Sequence, residues 1–457
     1  MKDFVRLEID EMPLGIWNAN ALDYIGRYVS AAAVEPLLRF DDSSRQVVSG
    51  LLTETCIERG GLCYRFRVNP HRAWSNGAAL DAVQIADNLC ETRARRPYWA
   101  HHLRTVHTIE GRGDILTVEL KRSLRHLAAL LTAQALAPAC GETWSPDSPV
   151  LGPYVLEGID LHGAQIRFVA NPFFPDAKER TPLHFQVQRD VEGVPERFCR
   201  HLVDVTCSTM FPLTRLGEWS GRSEYRSGPA PIWMQLEFTP NAHPILMRRD
   251  VREQLSAAID RNALSAALCG AALPRWSVLA TTARVEPGLQ PPTLCAGTSD
   301  RLSDGLLELR LAFCDYYPNY QVAKFVADSW AQSLDLKVSL VSVPFGTTSA
   351  ANADISLVLR LPAFPDPIGE LEAALVMLGC VGSPDEIKRA RTIVIALQHQ
   401  SRAPSESDLR DLVHILDRSV AVIPLLDLRH HWLTSARVTN FDLPCLGSFD
   451  YSLLRLT

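Results

Sequence analysis

The sequence predicts an α/β protein built from more than one lobe, and three observations carry that prediction. The chain has 457 residues, too many for one simple core, so two or three lobes are expected. In the last third, strand-length and helix-length segments alternate, the rhythm of strands covered by helices. Within that third, the apolar run 355–361 has the composition of a strand buried on both faces of a sheet. Arg360 stands near its end, and Pro362, Pro365 and Pro367 follow, holding off the next helix and setting the exit path. Ligands of open α/β sheets collect at the carboxyl ends of strands. Arg360 is therefore either part of a binding edge or a structural arginine paired with a nearby carboxylate.

Taken in order, residues 4–9 alternate and predict a strand. Trp17 and Asn18 fall in the loop after it, and a helix is expected over 19–35, stopped by Pro36. Residues 62–68 place Leu62, Tyr64, Phe66 and Val68 on one face of a strand. Asn76-Gly77 makes a tight turn, and Asp81 stands as the N-cap of a helix over 82–93. A strand over 114–120 and a helix over 124–137 complete a small α+β unit. Strands follow at 154–159, 164–170, 183–188, 204–207 and 233–238, with a helix at 194–202. A helix over 252–268 is expected, capped by Asp250 and ended by Gly270. The Pro-rich and Gly-rich stretch 287–303 reads as a loop or boundary. Beyond it come a strand (306–313), a helix (321–334), a strand (337–343), the strand with Arg360, helices over 368–378 and 408–420, a strand (422–426) and an irregular tail holding Trp432, Phe441 and Phe449.

Composition narrows the function. A net charge of −6 with dispersed basic residues gives no nucleic-acid footprint. No stretch approaches the ~18 apolar residues of a membrane span, and the N-terminus lacks the apolar region of an export signal. The eleven cysteines are scattered, without a Cys-x-x-Cys pair, which predicts a reducing compartment and cytoplasmic residence, unless an export signal has been trimmed away. Neither dinucleotide, phosphate-loop, serine-hydrolase nor zinc-protease motifs occur, so no cofactor is expected. The paired histidines His101-His102 and His430-His431 are neighbours that point apart, a poor arrangement for one metal ion, and no metal site is expected. Cys207 and Cys314 near strand ends are candidate nucleophiles or small buried apolar groups. Asp366 is a candidate catalytic carboxylate or the cap of the following helix. Trp17, Trp219, Trp233 and Trp276 sit at element ends where they could line a cleft or fill the core.

Six segments, in order, resemble family 5 of the bacterial extracellular solute-binding proteins, the peptide and nickel type of ABC importers. They are Val34-Glu35-Pro36-Leu37-Leu38-Arg39-Phe40-Asp41, Tyr64–Val68 with Ala73-Trp74-Ser75-Asn76-Gly77, Leu80–Ile85, Leu151-Gly152-Pro153-Tyr154, the helix segment Asp250-Val251-Arg252 closing on Ala258-Ile259-Asp260-Arg261, and Val420–Leu425. The resemblance implies a two-lobed, periplasmic-binding-protein-like fold of type II with an extra small α+β subdomain and a ligand cleft. It divides the chain into a large lobe (1–40, 151–266 and about 433–457), a small subdomain (41–150) and a second α/β lobe (267–432). Family members often carry Gly-Trp-x-x-Asp-Tyr-Pro-Asp-Pro where this chain has its Arg360 stretch. Arg360 replaces the Trp and Ala363 the Asp that meets a peptide's amino group, while Asp366 and Pro367 remain.

A cleft altered in this way is expected to favour a carboxylate-bearing or peptide-like ligand. The ligand-binding candidates are Trp17, Asn18, Trp219, Trp233, Glu237, Tyr317, Arg360 and Asp366. One reading is pure binding of a small molecule. The alternative is a scaffold recruited to biosynthesis, alone or with a protein or carrier-protein partner, where Arg360 holds a leaving or carboxylate group and Asp366 or Glu237 takes a proton. A third is a partner subunit for another enzyme.

Overall fold

Val5, Leu7 and Ile9 leave the first strand on one side and are fully buried, which anchors that strand in a core although it ends its sheet. The computed structural model describes residues 4–14, 23–139, 145–240, 242–279, 308–346, 352–399, 406–446 and 449–457. Strand Val5–Ile9 pairs in parallel with Leu183–Val187, and antiparallel Gln165–Ala170 and Tyr154–Asp160 complete a four-stranded sheet. Tyr28, Tyr154, Phe168, Phe185 and Tyr451 fill the core against it.

A second four-stranded sheet, Leu52–Glu58, Cys63–Val68, Ile115–Leu120 and Val106–Arg112, carries the helix Ala82–Arg95. Asp81 caps that helix as expected, in a reciprocal capping box with Gln84. Strand Cys63–Val68 buries Tyr64, Phe66 and Val68 together with Trp74 and Leu89.

The third sheet has six strands in the order Ala272–Pro274, Val422–Leu433, Tyr225–Phe238, Ile355–Arg360, Glu308–Cys314 and Lys337–Val343. The last three are parallel to one another, with the helix Asn319–Leu334 as crossover. Two of these strands are long, Tyr225–Phe238 and Val422–Leu433, and they pass from one core to another. Ile232 and Trp432 pack with the first sheet, whereas Met234, Leu236, Leu425 and Leu426 pack with the helices of the third. The ladder between them is irregular between Pro229 and Trp233, where Pro229 and Pro231 lack the N–H groups a ladder needs.

Several elements differ from expectation. The helix expected over 252–268 is two helices, Arg249–Ala257 and Arg261–Ala267. Asp260 causes the break, because its carboxylate accepts from the N–H groups of Asn262 and Ala263 at 2.9 and 3.0 Å. Asp250 lies inside the first turn and pairs with Arg248 instead of capping. Arg252 and Arg261 are buried and donate to the carbonyls of Ser419 and Pro424, which ties this segment to the end of the helix Glu406–Ser419 and to the third sheet. The helix expected over 124–137 shrinks to Leu127–Leu130 and a 3₁₀ turn, Gln134–Leu136. Its uniform apolarity reflects burial on several sides, not helical periodicity. The expected helix over 19–35 is described only as Tyr24–Ser30, capped by Asp23. Only an isolated bridge at Val205 stands for the strand at 204–207. Helix Pro384–His399 was not anticipated, and Trp432 lies in a strand rather than the tail. The stretch 287–303 lies outside the described residues.

Candidate functional site

Strand Ile355–Arg360 pairs antiparallel with the long strand Tyr225–Phe238, setting Arg360 opposite Trp233 and Ser356 opposite Glu237. Alternation along the long strand turns Trp233, Gln235 and Glu237 to one face, and Arg360 reaches the same face from the neighbour. The four side chains form one chain of hydrogen bonds. Trp233 Nε1 donates to Gln235 Oε1 at 2.8 Å, and Gln235 Nε2 donates to Glu237 Oε1 at 2.7 Å. Arg360 closes the chain with a bidentate pair to Glu237, at 2.7 and 2.5 Å. Trp233, Glu237 and Arg360 are thus brought together, but as a self-satisfied structural unit. Arg360 is thus paired with a carboxylate, Glu237, the structural alternative weighed for it from the sequence.

The proton-accepting roles weighed for Asp366 and Glu237 meet the same difficulty. Asp366 caps the helix Pro367–Val381 through the N–H of Ile368 at 2.9 Å, and its other oxygen takes Arg125 Nη2 at 2.8 Å. Trp219 lies apart in a small apolar cluster, with Arg222 over its ring. Tyr317 Oη accepts from the N–H of Leu213 at 3.1 Å and lines a cavity of about 40 Å³ with Thr209 and His431. Trp276 lies under Arg261. Trp17 and Asn18 lie outside the described residues.

After Arg360 the proline loop leaves the sheet and enters the small subdomain. Ala363 and Phe364 belong to its core, where Phe364 stacks on His126 at 5.1 Å and meets the edge of His102 at 5.5 Å. His102 in turn reaches Glu372 at 3.2 Å, and Tyr98 donates to the same carboxylate at 3.0 Å.

Leu361–Pro365 also form one wall of a cavity of about 60 Å³. The other walls are Tyr24 and Arg27 of the first helix, Trp99 and the segment Thr132–Ala135, Pro231 of the crossing strand, and Leu446 with Phe449 of the C-terminal segment. Residues of the cores of the first and second sheets therefore converge there. Its polar lining is one-sided. Arg27 Nη1 donates to the carbonyl of Pro362 at 2.9 Å, and no carboxylate among the described residues lies within ion-pair distance of it. Burial pulls the Arg27 guanidinium below its ordinary range, with Tyr98 and Asp23 opposing. Trp99 Nε1 and Gln134 Nε2 are buried donors without an acceptor among the described residues. Sequence reasoning missed all three. For Arg27 the signal was present, as the one charged residue in the apolar segment Tyr24–Ser30.

The two main sheets also touch through Asp10. This residue follows the first strand, and one of its oxygens accepts from Thr209 and from Tyr316, which follows the strand Glu308–Cys314. Its other oxygen is buried without a partner among the described residues, and burial raises its pKa. Burial likewise pushes the Cys207 thiol far up and raises that of Cys314, which removes the thiolate a nucleophile needs. His430 titrates at about 3 because it is buried, and its ring lies 3.4 Å from Tyr24 Oη. His431 turns to other partners, Tyr225 Oη at 2.7 Å and the carbonyl of Ala271 at 3.0 Å.

No family model and no curated protein matches the sequence. Solved structures do match. An oligopeptide-binding protein of an ABC transporter from Borrelia burgdorferi superposes with a TM-score of 0.85 at 16% identity, covering 99% of both chains. The chain has the fold of the family 5 solute-binding proteins. NikA from Staphylococcus aureus, solved with Ni(L-His)2, gives a TM-score of 0.83 at 15% identity over 100% of both chains. The murein tripeptide-binding protein MppA of Escherichia coli gives 0.82 at 16% identity, over 99% of this chain and 98% of that one. The two-lobed solute-binding fold expected from the sequence motifs is thus confirmed over the full length. Among the described residues no helix is long and apolar enough to cross a membrane.

Proposed function

We infer that this protein is a cytoplasmic solute-binding protein that encloses a small polar ligand, carboxylate- or peptide-like, between its lobes. The observation that carries the reading is the cavity at the proline loop. It is walled by the first helix, the small subdomain, the crossing strand and the C-terminal segment at once, and such a site changes shape when lobes move about crossing strands. The neighbours named for oligopeptide and murein tripeptide binding support a peptide-like molecule. Cytoplasmic residence is supported by the nine described cysteines, none of which forms a disulfide. The carboxylates weighed for proton transfer are both held by arginines, which favours binding over chemistry.

Native mass spectrometry of the full chain tests this. A small molecule lost on gentle activation, with the protein found entirely in the cytosolic fraction, is the expected result. A chain that carries no adduct, and whose thermal midpoint is unmoved by peptides, amino acids and short carboxylic acids, would overturn it.

A further inference from the structure

The cavity at the proline loop is lined by five polar side chains. The hydroxyls of Tyr24 and Thr132 already have partners, in His430 with Ser208 and in the Ala129 carbonyl, and the uncommitted groups on the other three are donors. Arg27 places a guanidinium there whose only described partner is the Pro362 carbonyl. Trp99 can only donate, and its Nε1 has no acceptor. Gln134 spends its carbonyl oxygen on Ser30 Oγ at 3.3 Å, which turns its unpartnered Nε2 to the remaining space. Trp99 and Gln134 are 2% and 8% exposed, so bulk water does not stand in for the missing acceptor. Buried donors left unmade are costly, and a buried charge without a partner is costlier still. Two such buried donors beside the half-buried Arg27 guanidinium are the negative image of an anion. Among the described residues no carboxylate side chain lines the cavity, and Ala363 brings no charge to its wall. The volume of about 60 Å³ holds roughly four water-sized positions, the size of a head group rather than of a peptide.

Resting on the enclosed-ligand reading above, we propose that this cavity seats a single carboxylate of the ligand. Arg27 and the N–H groups of Trp99 and Gln134 read it together. The planar guanidinium suits a carboxylate, and the indole and amide N–H groups supply further donors to its oxygens. The ligand therefore enters acid end first, and a free amine meets no carboxylate there among the described residues. This places the positive charge of the site on the first helix and leaves Arg360 to its pair with Glu237.

Two probes of equal length separate the outcomes, N-acetyl-Ala-Ala with a free carboxylate and Ala-Ala-amide with a free amine, each titrated calorimetrically into the full chain. Binding of the first and not the second is expected, with the affinity falling about ten- to a hundredfold in Arg27→Gln, the worth of a charge-assisted hydrogen bond. If the amide binds as well or better, the carboxylate seat is wrong and the enclosed-ligand reading stands. If neither binds, the carboxylate seat is wrong, while the enclosed-ligand reading falls only if the chain also carries no adduct and its thermal midpoint is unmoved by the wider set of ligands. Gln134→Glu gives a check that needs no ligand. It tethers a carboxylate in the seat, so the thermal midpoint should rise and binding of the acetylated probe should disappear. A lower midpoint with probe binding retained would overturn the seat.

Discussion

Substituting Arg360 by Ala separates a structural arginine from a ligand anchor. The guanidinium makes two charge-assisted hydrogen bonds to Glu237, whose side chain is 10% exposed, while that of Arg360 is 41% exposed. Removing one partner of a fully buried pair costs about 3–5 kcal/mol, since the other charge is stranded, whereas exposed pairs contribute about 0–1 kcal/mol. With one member buried and the other half-open, the expected loss is about 2 kcal/mol. Glu237→Gln in the Arg360→Ala background removes the stranded charge and should recover at least about 1 kcal/mol, the non-additivity expected of directly bonded neighbours. Urea denaturation of the wild type, both single variants and the double variant measures the cycle, and a ligand titration of each variant completes it. Binding should be unchanged in Arg360→Ala. A variant of full stability that has lost its ligand, or strict additivity in the cycle, would refute the structural reading and restore Arg360 to the site.

Asp10 and Phe364 offer two more tests. The folded-state pKa of Asp10 lies above the ordinary value of 3.8, because burial outweighs its bonds to Thr209 and Tyr316. Between those two values the folded state holds more protons than the unfolded, so this residue's contribution to stability falls as pH rises through that window. Asp10→Asn should therefore flatten the fall in thermal midpoint from acid towards neutral pH, and an unchanged slope would show that the carboxylate is not stranded. Phe364 is 3% exposed and stacks on His126. Phe364→Ala should cost about 3–5 kcal/mol in denaturant unfolding and loosen the small subdomain, visible as faster hydrogen exchange in the helix Pro97–His102. A loss below about 1 kcal/mol would mean that the loop rests on that core without being part of it.

The fold was largely legible because its signals are local. Asp81 announces a helix start, Tyr64-Arg65-Phe66-Arg67-Val68 alternates cleanly, and the segment from Asp250 to Arg261 keeps the two buried arginines that hold it to the helix Glu406–Ser419 and to the third sheet. Its failures were local too, as where Asp260 broke a continuous helical pattern. The site was much less legible. Arg360 was visible as a charge at the end of a buried strand, but its partner lies on a strand 123 positions away, and only the register reveals it. Gln134 was hidden in an apolar run that read as helix interior, and nothing in sequence links it to Arg27 and Trp99. The expectation of a positively charged cleft survives as a proposal, carried by a different arginine.

The seating of Phe364 has a consequence for timing. The proline loop forms a wall of the cavity and ends in the core of the small subdomain, so the second lobe cannot swing away from that subdomain while the ring stays in place. Opening then follows one of two routes. Either the small subdomain travels with the second lobe, breaking its ties to the first, among them the pair of Arg72 with Glu35, or Phe364 withdraws from its seat. Both carry a barrier unrelated to any bond with the ligand. If the chain encloses a ligand as proposed, exchange is governed by how often this aromatic lock releases, and a long residence time is compatible with modest affinity.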